Sequence, residues 1–393
     1  MYSFRFVSVV WGSEYVAGFL RVCLASQLTP GNLEYLARHA SCSYRIYTPI
    51  RDAKVIRQSP AYRRLAELMP VEIVTISGRW HVGKYRVVNQ CISHFISSKR
   101  HEECALVFAY PDVVWADGAG VRFLEIARSG KRMVAINTPP VVKKTFVRAL
   151  LERYGDNGLL RPIAPRQLVQ LALDHLHPDV TPTASDNPRC TPSGGYWMAG
   201  GGLLARDFHL CGLMVIPVDR DVLPAVTVDE EYTLTACPYL TDIYVVTDSD
   251  DICLLEFISN PAAPRSTVTT IRQMVQWAAG HVTQRHREFV KFRLRYHCND
   301  VSDGWEEVEH ASDAFVNAIL GQMDIPGPVS DEAPLSRGRY LSPRFLMRKV
   351  RELGMRGCLR RTNAALAGAV FGSHVRIRMA RALSPPSEVA PRR

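Results

Sequence analysis

The feature that most constrains this 393-residue chain is the unbroken apolar run at residues 104–110, Cys-Ala-Leu-Val-Phe-Ala-Tyr. It is too short for a buried helix and shows no polar alternation. A central strand covered on both faces has this pattern. Its neighbours support that reading. Residues 4–11 are β-rich and apolar, and Gly12 ends them. Val16, Phe19, Leu20, Cys23 and Leu24 then recur at helical spacing. Residues 44–48 and 71–76 read as further strands. Between them Ser59-Pro60 supplies an N-cap and a first helical position for a helix through Tyr62, Leu65 and Leu68. Val88, Cys91, Ile92, Phe95 and Ile96 make one helix face. Asp117 is placed to cap another helix, Gly130 to close it, and residues 133–136 to follow as a strand. Strand and helix alternate throughout, which predicts an α/β fold with a mostly parallel central sheet flanked by helices. In such sheets ligands bind at the carboxyl ends of the strands.

The remainder is less regular. Residues 178–202 hold Pro178, Pro182, Pro188, Pro192 and five glycines without a period, and read as a long loop. Strand signals return at 213–218 and 242–246, and residues 252–257 read as a return strand. Helical patterns run from about Thr267 to Arg295 and around 305–322. The organisation expected is a domain at 1–260, a helical extension at 261–322, a Pro/Gly/acidic linker at 323–337, basic amphipathic helices at 338–383, and a disordered tail at 384–393.

Charge separates the same regions. The formal net charge is +10, but residues 335–393 carry 14 basic and 2 acidic residues, so the first 334 are at −2. A nucleic-acid enzyme more often carries its basic stripe on the main domain, so no nucleic-acid partner is expected. The Arg-rich tail suits the surface of an anionic membrane. The alternative is a helix pair packed on the domain. The apolar run at 363–375 is too short to span a bilayer. Ten cysteines without metal-ligand spacing are expected to be reduced, and no signal peptide is evident. The expected location is therefore cytoplasmic, peripheral on the inner membrane face.

Chemistry concentrates after the central strand. Tyr110-Pro111-Asp112 delivers a carboxylate to its carboxyl end, and a second apolar run follows at 113–116. This stretch resembles the GT-A glycosyltransferases of bacterial cell-surface polysaccharide and lipopolysaccharide clusters, whose strand ends in Asp-x-Asp. Tyr110 stands where their first Asp would be. Val9-Val10-Trp11-Gly12-Ser13-Glu14-Tyr15 is similar to their opening strand and turn, and residues 23–33 are similar to members of such gene clusters.

The resemblance, loosely covering residues 1–260, implies a GT-A-like fold and sugar transfer from a nucleotide-diphosphate donor to a glycan or lipid-linked acceptor. It implies donor contacts at Val10, Trp11, Gly12, Thr48, Lys84, Tyr110 and Asp112. It implies Mg²⁺ or Mn²⁺ on Asp112, completed by the downstream His209, to neutralise the leaving diphosphate. Asp229 and Glu230 fall where an acceptor-side carboxylate is expected, although acidic residues in a first helical turn are also common.

Several readings compete. Asp112 could simply turn a loop, Lys84 could be a surface lysine, and His209 could be a core histidine. Asp248-Ser249-Asp250-Asp251 contains a true Asp-x-Asp but reads better as a polar hairpin turn. Gly200-Gly201-Gly202 is either a flap over the donor or a tight turn. A nucleotidyltransferase would need a Gly-rich basic loop after the first strand, which Trp11-Gly12-Ser13-Glu14 lacks. A non-catalytic relative that kept the fold is another rival, on account of Tyr110, and a nucleic-acid-binding module using the basic tail is a third.

Overall fold

The computed structural model describes residues 2–77, 84–182, 188–224, 228, 232–258, 269–323 and 376–379. The strands, in chain order, are β1 (Ser3–Val9), β2 (Ser41–Pro49), β3 (Val71–Ser77), β4 (Ala105–Phe108), β5 (Val113–Trp115), β6 (Met133–Ile136) and β7 (Pro140–Val142). They continue with β8 (Gly155–Asp156), β9 (Leu159–Leu160), β10 (Arg189–Cys190), β11 (Gly194–Ala199), β12 (Gly202–Asp207) and β13 (Cys211–Val215). The last are β14 (Ile243–Val245), β15 (Leu254–Ile258), β16 (Leu294–His297) and β17 (Arg376–Met379).

The main sheet has the order β14-β6-β13-β4-β1-β2-β3-β17. Only β13 and β17 run against the other six. The sheet is thus mostly parallel and flanked by helices, as the alternation predicts. Phe6 of β1 sits opposite Tyr44 of β2 and Val107 of β4, and all three are fully buried. Apolar residues on both faces explain why β4 reads as a continuous run, whereas β1 and β2 begin with polar residues between the apolar ones.

Local signals place the helices. Ser59 Oγ accepts the Tyr62 N–H at 3.1 Å, and Pro60 opens the helix Pro60–Leu68. Gly130, at φ +85°, follows the helix Ala119–Arg128 and ends it. Asp117 does not cap that helix. Its Oδ1 accepts the Gly31 N–H at 2.8 Å, and Gly118 takes the cap position without a side-chain bond. Asn32, wholly buried, donates to Ser26 O and Ala116 O and accepts the Gly120 N–H. The Ser26–Asn32 stretch therefore clamps the turn that follows β5.

The middle of the chain differs from the expected loop. β11 and β12 form an antiparallel hairpin within a second sheet, β10-β11-β12-β16. Gly200 (φ +49°) and Gly201 (φ +78°) are its two-residue turn, a conformation that glycine adopts without a Cβ penalty. The triple glycine is thus a tight turn and not a flap. The stretch expected to be helical from Thr267 to Arg295 is also broken. It holds the helices Ile271–His281 and Gln284–Phe289, then β16. Thr283 restarts the helix through its hydrogen bonds with His286, and β16 then pairs with β12. The extension therefore completes a sheet. The helix Asp303–Gln322 covers it: Arg206, itself buried, reaches Ser312 Oγ, Asp313 and Lys291 O.

A third sheet, β5-β15-β7, crosses the carboxyl edge of the main one. β14 and β15 belong to different sheets, so Asp248–Asp251 is a crossover and not a hairpin turn. Within the tail expected to be helical, the described residues 376–379 are a strand at the outer edge of β3; the rest of 324–393 lies outside the described residues. None of the described cysteines is bridged. Among the described residues no helix is long and apolar enough to cross a membrane.

Candidate active site

The carboxyl ends of β1, β4 and β6 face a cleft of about 710 Å³, a size that suits a small-molecule ligand. β13 runs the opposite way, so its amino end meets the same edge and brings His209, Leu210 and Cys211 to the wall. β15 contributes Leu254 and Glu256–Ile258. The helix Lys84–Lys99 adds Lys84, Tyr85, Val88 and Ile92, and Lys143 enters from the start of the helix Lys143–Tyr154.

Of the residues expected to contact a donor, Val10, Trp11, Lys84, Tyr110 and Asp112 line this cleft. Gly12 and Thr48 do not. Gly12 instead donates its N–H to Asp52 Oδ2 at 2.8 Å, which fixes the turn after β1. Thr48 is fully buried in β2 opposite Thr75. Asp229 and Glu230 lie outside the described residues.

Asp112 and His209 share the cleft. His209 stacks on His286 with ring centroids 4.3 Å apart, and Trp277 tilts against it at 5.2 Å. Burial, with His281 nearby, pushes the imidazole down to about 4. The ring is therefore neutral at physiological pH, the form in which histidine ligates metals. Among the described residues the two are not part of any three-ligand group. The one such group is elsewhere: Asp248, Asp250 and His297, with ligand atoms within 4.8 Å of one another. None of these three lines the cleft.

Two cleft residues escaped the sequence reading. Lys143 pairs with Glu14 at 2.8 Å, and its Nζ lies 5.0 Å from the Tyr15 ring centre and 5.8 Å from that of Phe257. Glu256 faces Val113 across the β5–β15 pair, and the adjacent Phe257 N–H donates to Asp112 O at 2.9 Å. Glu256 thus brings a second carboxylate to the wall that carries Asp112. The lone carboxylate in the apolar run Leu-Leu-Glu-Phe-Ile was the available signal for Glu256. Nothing local marks Lys143.

Beneath the floor lies a buried polar network. Asn137 Nδ2 donates to Asp207 Oδ2 at 3.2 Å, and Tyr296 Oη donates to Asn137 O at 2.7 Å. The His209 N–H donates to Asp207 Oδ1 at 2.9 Å. Burial pushes the Asp207 carboxyl up to about 7, against the pull of these hydrogen bonds.

No protein-family model matches this sequence, and no curated protein matches it. Among solved structures it is similar to mouse xyloside xylosyltransferase 1 in its apo form, at 15% identity over 39% of this chain and 59% of that one, with a TM-score of 0.23. This chain thus spans less than two thirds of that structure. It is also similar to the mannosyltransferase PcManGT from Pyrobaculum calidifontis in complex with GDP-Man and Mn²⁺. There the identity is 13%, the coverage 94% of this chain and 87% of that one, and the TM-score 0.27. Both scores are too low to carry a shared activity, or any detail of a site, from those proteins to this one.

Proposed function

We propose that this chain is a glycosyltransferase that moves a sugar from a nucleotide-diphosphate donor to a glycan or lipid-linked acceptor, in cell-surface polysaccharide synthesis. The observation that carries the reading is the cleft at the carboxyl ends of β1 and β4, where Asp112, Lys84 and Lys143 meet apolar walls. Val10, Trp11 and Tyr15 offer a partly apolar face to a nucleotide base. Lys84 and Lys143 stand at the starts of two helices, where amide dipoles and ammonium groups together favour a diphosphate.

Asp112 and His209, which share the cleft, would hold the expected Mg²⁺ or Mn²⁺, and the imidazole favours Mn²⁺ of the two. Such an ion reaches a protein through one or two carboxylates and keeps the substrate's phosphate oxygens. When bound it would neutralise charge on the leaving diphosphate. The chain's own groups would do the remainder. Lys84 and Lys143 hold the phosphates, the wall made by Leu254 and Phe257 excludes water, and a carboxylate takes the acceptor hydroxyl proton. Asp229 and Glu230 are the proposed acceptor-side groups, and Glu256 is the carboxylate already on the wall. Retention of anomeric configuration is expected from the resemblance. The basic residues 338–383 would bring the chain to an anionic membrane carrying a lipid-linked acceptor.

Tyr110 in place of the first Asp favours a second reading, a non-catalytic relative that retains the fold. Calorimetric titration with UDP-, GDP-, CMP- and dTDP-sugars, with and without Mn²⁺, on the native chain and Asp112→Ala, separates the two. Metal-dependent binding of one donor, lost in the variant, is the expected result. Binding without metal would transfer charge neutralisation to Lys84 and Lys143. Absence of binding to every donor would leave the non-catalytic reading.

A further inference from the structure

The placement of a donor in the cleft leaves a second groove, of about 810 Å³, unused beside it. Lys143 lines both spaces. Glu14 lines the groove, and its neighbour Tyr15 lines the cleft. The two spaces therefore meet at the Lys143–Glu14 pair, and a molecule lying in the groove ends beside the cleft. One wall of the groove is a single face of the helix Lys143–Tyr154. Lys144, Val147, Arg148 and Leu151 recur there at i, i+3, i+4 and i+7. Phe146 and Leu150, on the inner side of that helix, are fully buried. Val147 and Leu151 are only half-buried, which leaves apolar surface in the groove. The other wall is the helical stretch after β1, with Glu14 and Arg21.

Charge gathers here against the average of the domain. Residues 1–334 are at −2, yet the groove is lined by four cations and two carboxylates, a net +2. Glu14 is engaged by Lys143 at 2.8 Å. Glu152 reaches Arg148 only at 3.8 Å, with both side chains exposed, and such a pair contributes little. Among the described residues Arg21 and Lys144 meet no carboxylate. An anion relieves this repulsion, and guanidinium groups match the oxygens of a phosphate in pairs. A free phosphate needs no apolar floor. Val147, Leu151 and the methylene stems of Lys144 and Arg148 supply one, which suits an alkyl chain beside the charge.

We propose that this groove binds the phosphate end of a lipid-linked acceptor. Arg21, Lys144 and Arg148 take the phosphate, and Val147 and Leu151 take the first part of the alkyl chain. Lys143, at the junction, stands between the acceptor phosphate and the donor cleft. The assignment of the occupant as acceptor rests on the sugar-transfer reading, whereas the binding of an alkyl phosphate does not.

The test is calorimetric titration of the full chain, without nucleotide sugar, with decyl phosphate below its micelle concentration and with inorganic phosphate. Saturable binding of decyl phosphate is expected, with inorganic phosphate weaker by about tenfold or more. Replacing Arg21→Gln and Lys144→Gln together should weaken decyl phosphate about tenfold. Leu151→Gln should weaken it roughly fivefold and leave inorganic phosphate unchanged. Arg128→Gln, which removes an exposed charge outside the groove, should change neither. Equal affinity for the two phosphates would reduce the groove to an anion site and overturn the lipid assignment. Decyl phosphate binding that is absent, or as tight in the double variant as in the native chain, would overturn the site itself. If Leu151→Gln lowers Tm, the double variant decides alone, since both of its residues are exposed. Failure of every nucleotide sugar to bind would overturn sugar transfer and leave this site standing. Loss of this site with donor binding intact would overturn only the acceptor assignment.

Discussion

The two principal sheets of this molecule bury their strands in different ways. β1, β2 and β4 lie at the centre of the main sheet, with partners on both sides and helices over both faces. β4 is apolar throughout and β1 and β2 are rich in β-branched and aromatic residues, so each announces itself locally. The β10-β11-β12-β16 sheet is antiparallel and glycine-rich, and its edge strand β16 follows β12 by 87 residues, from Asp207 to Leu294. Gly194 and Gly195 sit in β11 because Arg206 O and the Trp197 ring leave no room for a Cβ. Buried parallel strands are written in local composition, whereas strands that depend on close backbone approach and a distant partner are not. The chemistry divides likewise: the cleft grows from the first sheet, and the Asp248–His297 cluster joins the first sheet to the second.

Perturbing each sheet in turn tests how separate they are. Phe6→Ala opens a cavity in the central core, and urea denaturation should show a loss of roughly 4 to 5 kcal/mol. If the sheets fold as one unit, fluorescence of Trp197 and Trp305 in the second core must follow the same shifted transition; an unshifted second transition would show two units.

Asp207 links the two, since it ends β12 and binds Asn137 after β6. Its folded-state pKa, about 7, is raised above its unfolded value, so the native chain keeps a proton that the denatured chain has lost. Stability therefore falls as pH rises from about 4 to about 7, by on the order of 4 kcal/mol. In Asp207→Asn this slope should flatten in chemical denaturation series across that window. An unchanged slope would mean the carboxyl is already ionised in the native state.

Arg206→Met should cost about 3 kcal/mol, because it removes the cation that ties β12 to the Asp303–Gln322 helix and leaves Asp313 without it. Hydrogen exchange should rise first in that helix. Exchange rising equally in β1 would show that the sheets are tightly coupled. Gly200→Ala should cost about 2 kcal/mol, since φ is positive there and a Cβ would stand 2.7 Å from Trp305 Nε1. The smallest effect expected is on the cleft: Lys143→Ala should weaken donor binding about tenfold, or about 1.4 kcal/mol, with Tm nearly unchanged. Equal losses of binding and stability would make Lys143 a structural partner of Glu14 instead.

The sequence by itself determined the α/β class, the course of the main sheet, the capping of helices by Ser59 and Gly130, and the arrival of Asp112 at a strand end. These follow from short-range rules: period, capping chemistry and burial on both faces. Only the tertiary structure decided that residues 194–207 pair into a hairpin, that β16 completes its sheet, and that Thr48 is buried within the main sheet. It also decided that Lys143 and Glu256 enter the cleft, and that His297 meets Asp248 across 49 positions of chain. Each of those depends on which distant backbone lies alongside. A carboxylate or an imidazole looks the same in sequence whether it faces solvent, a sheet edge or a partner.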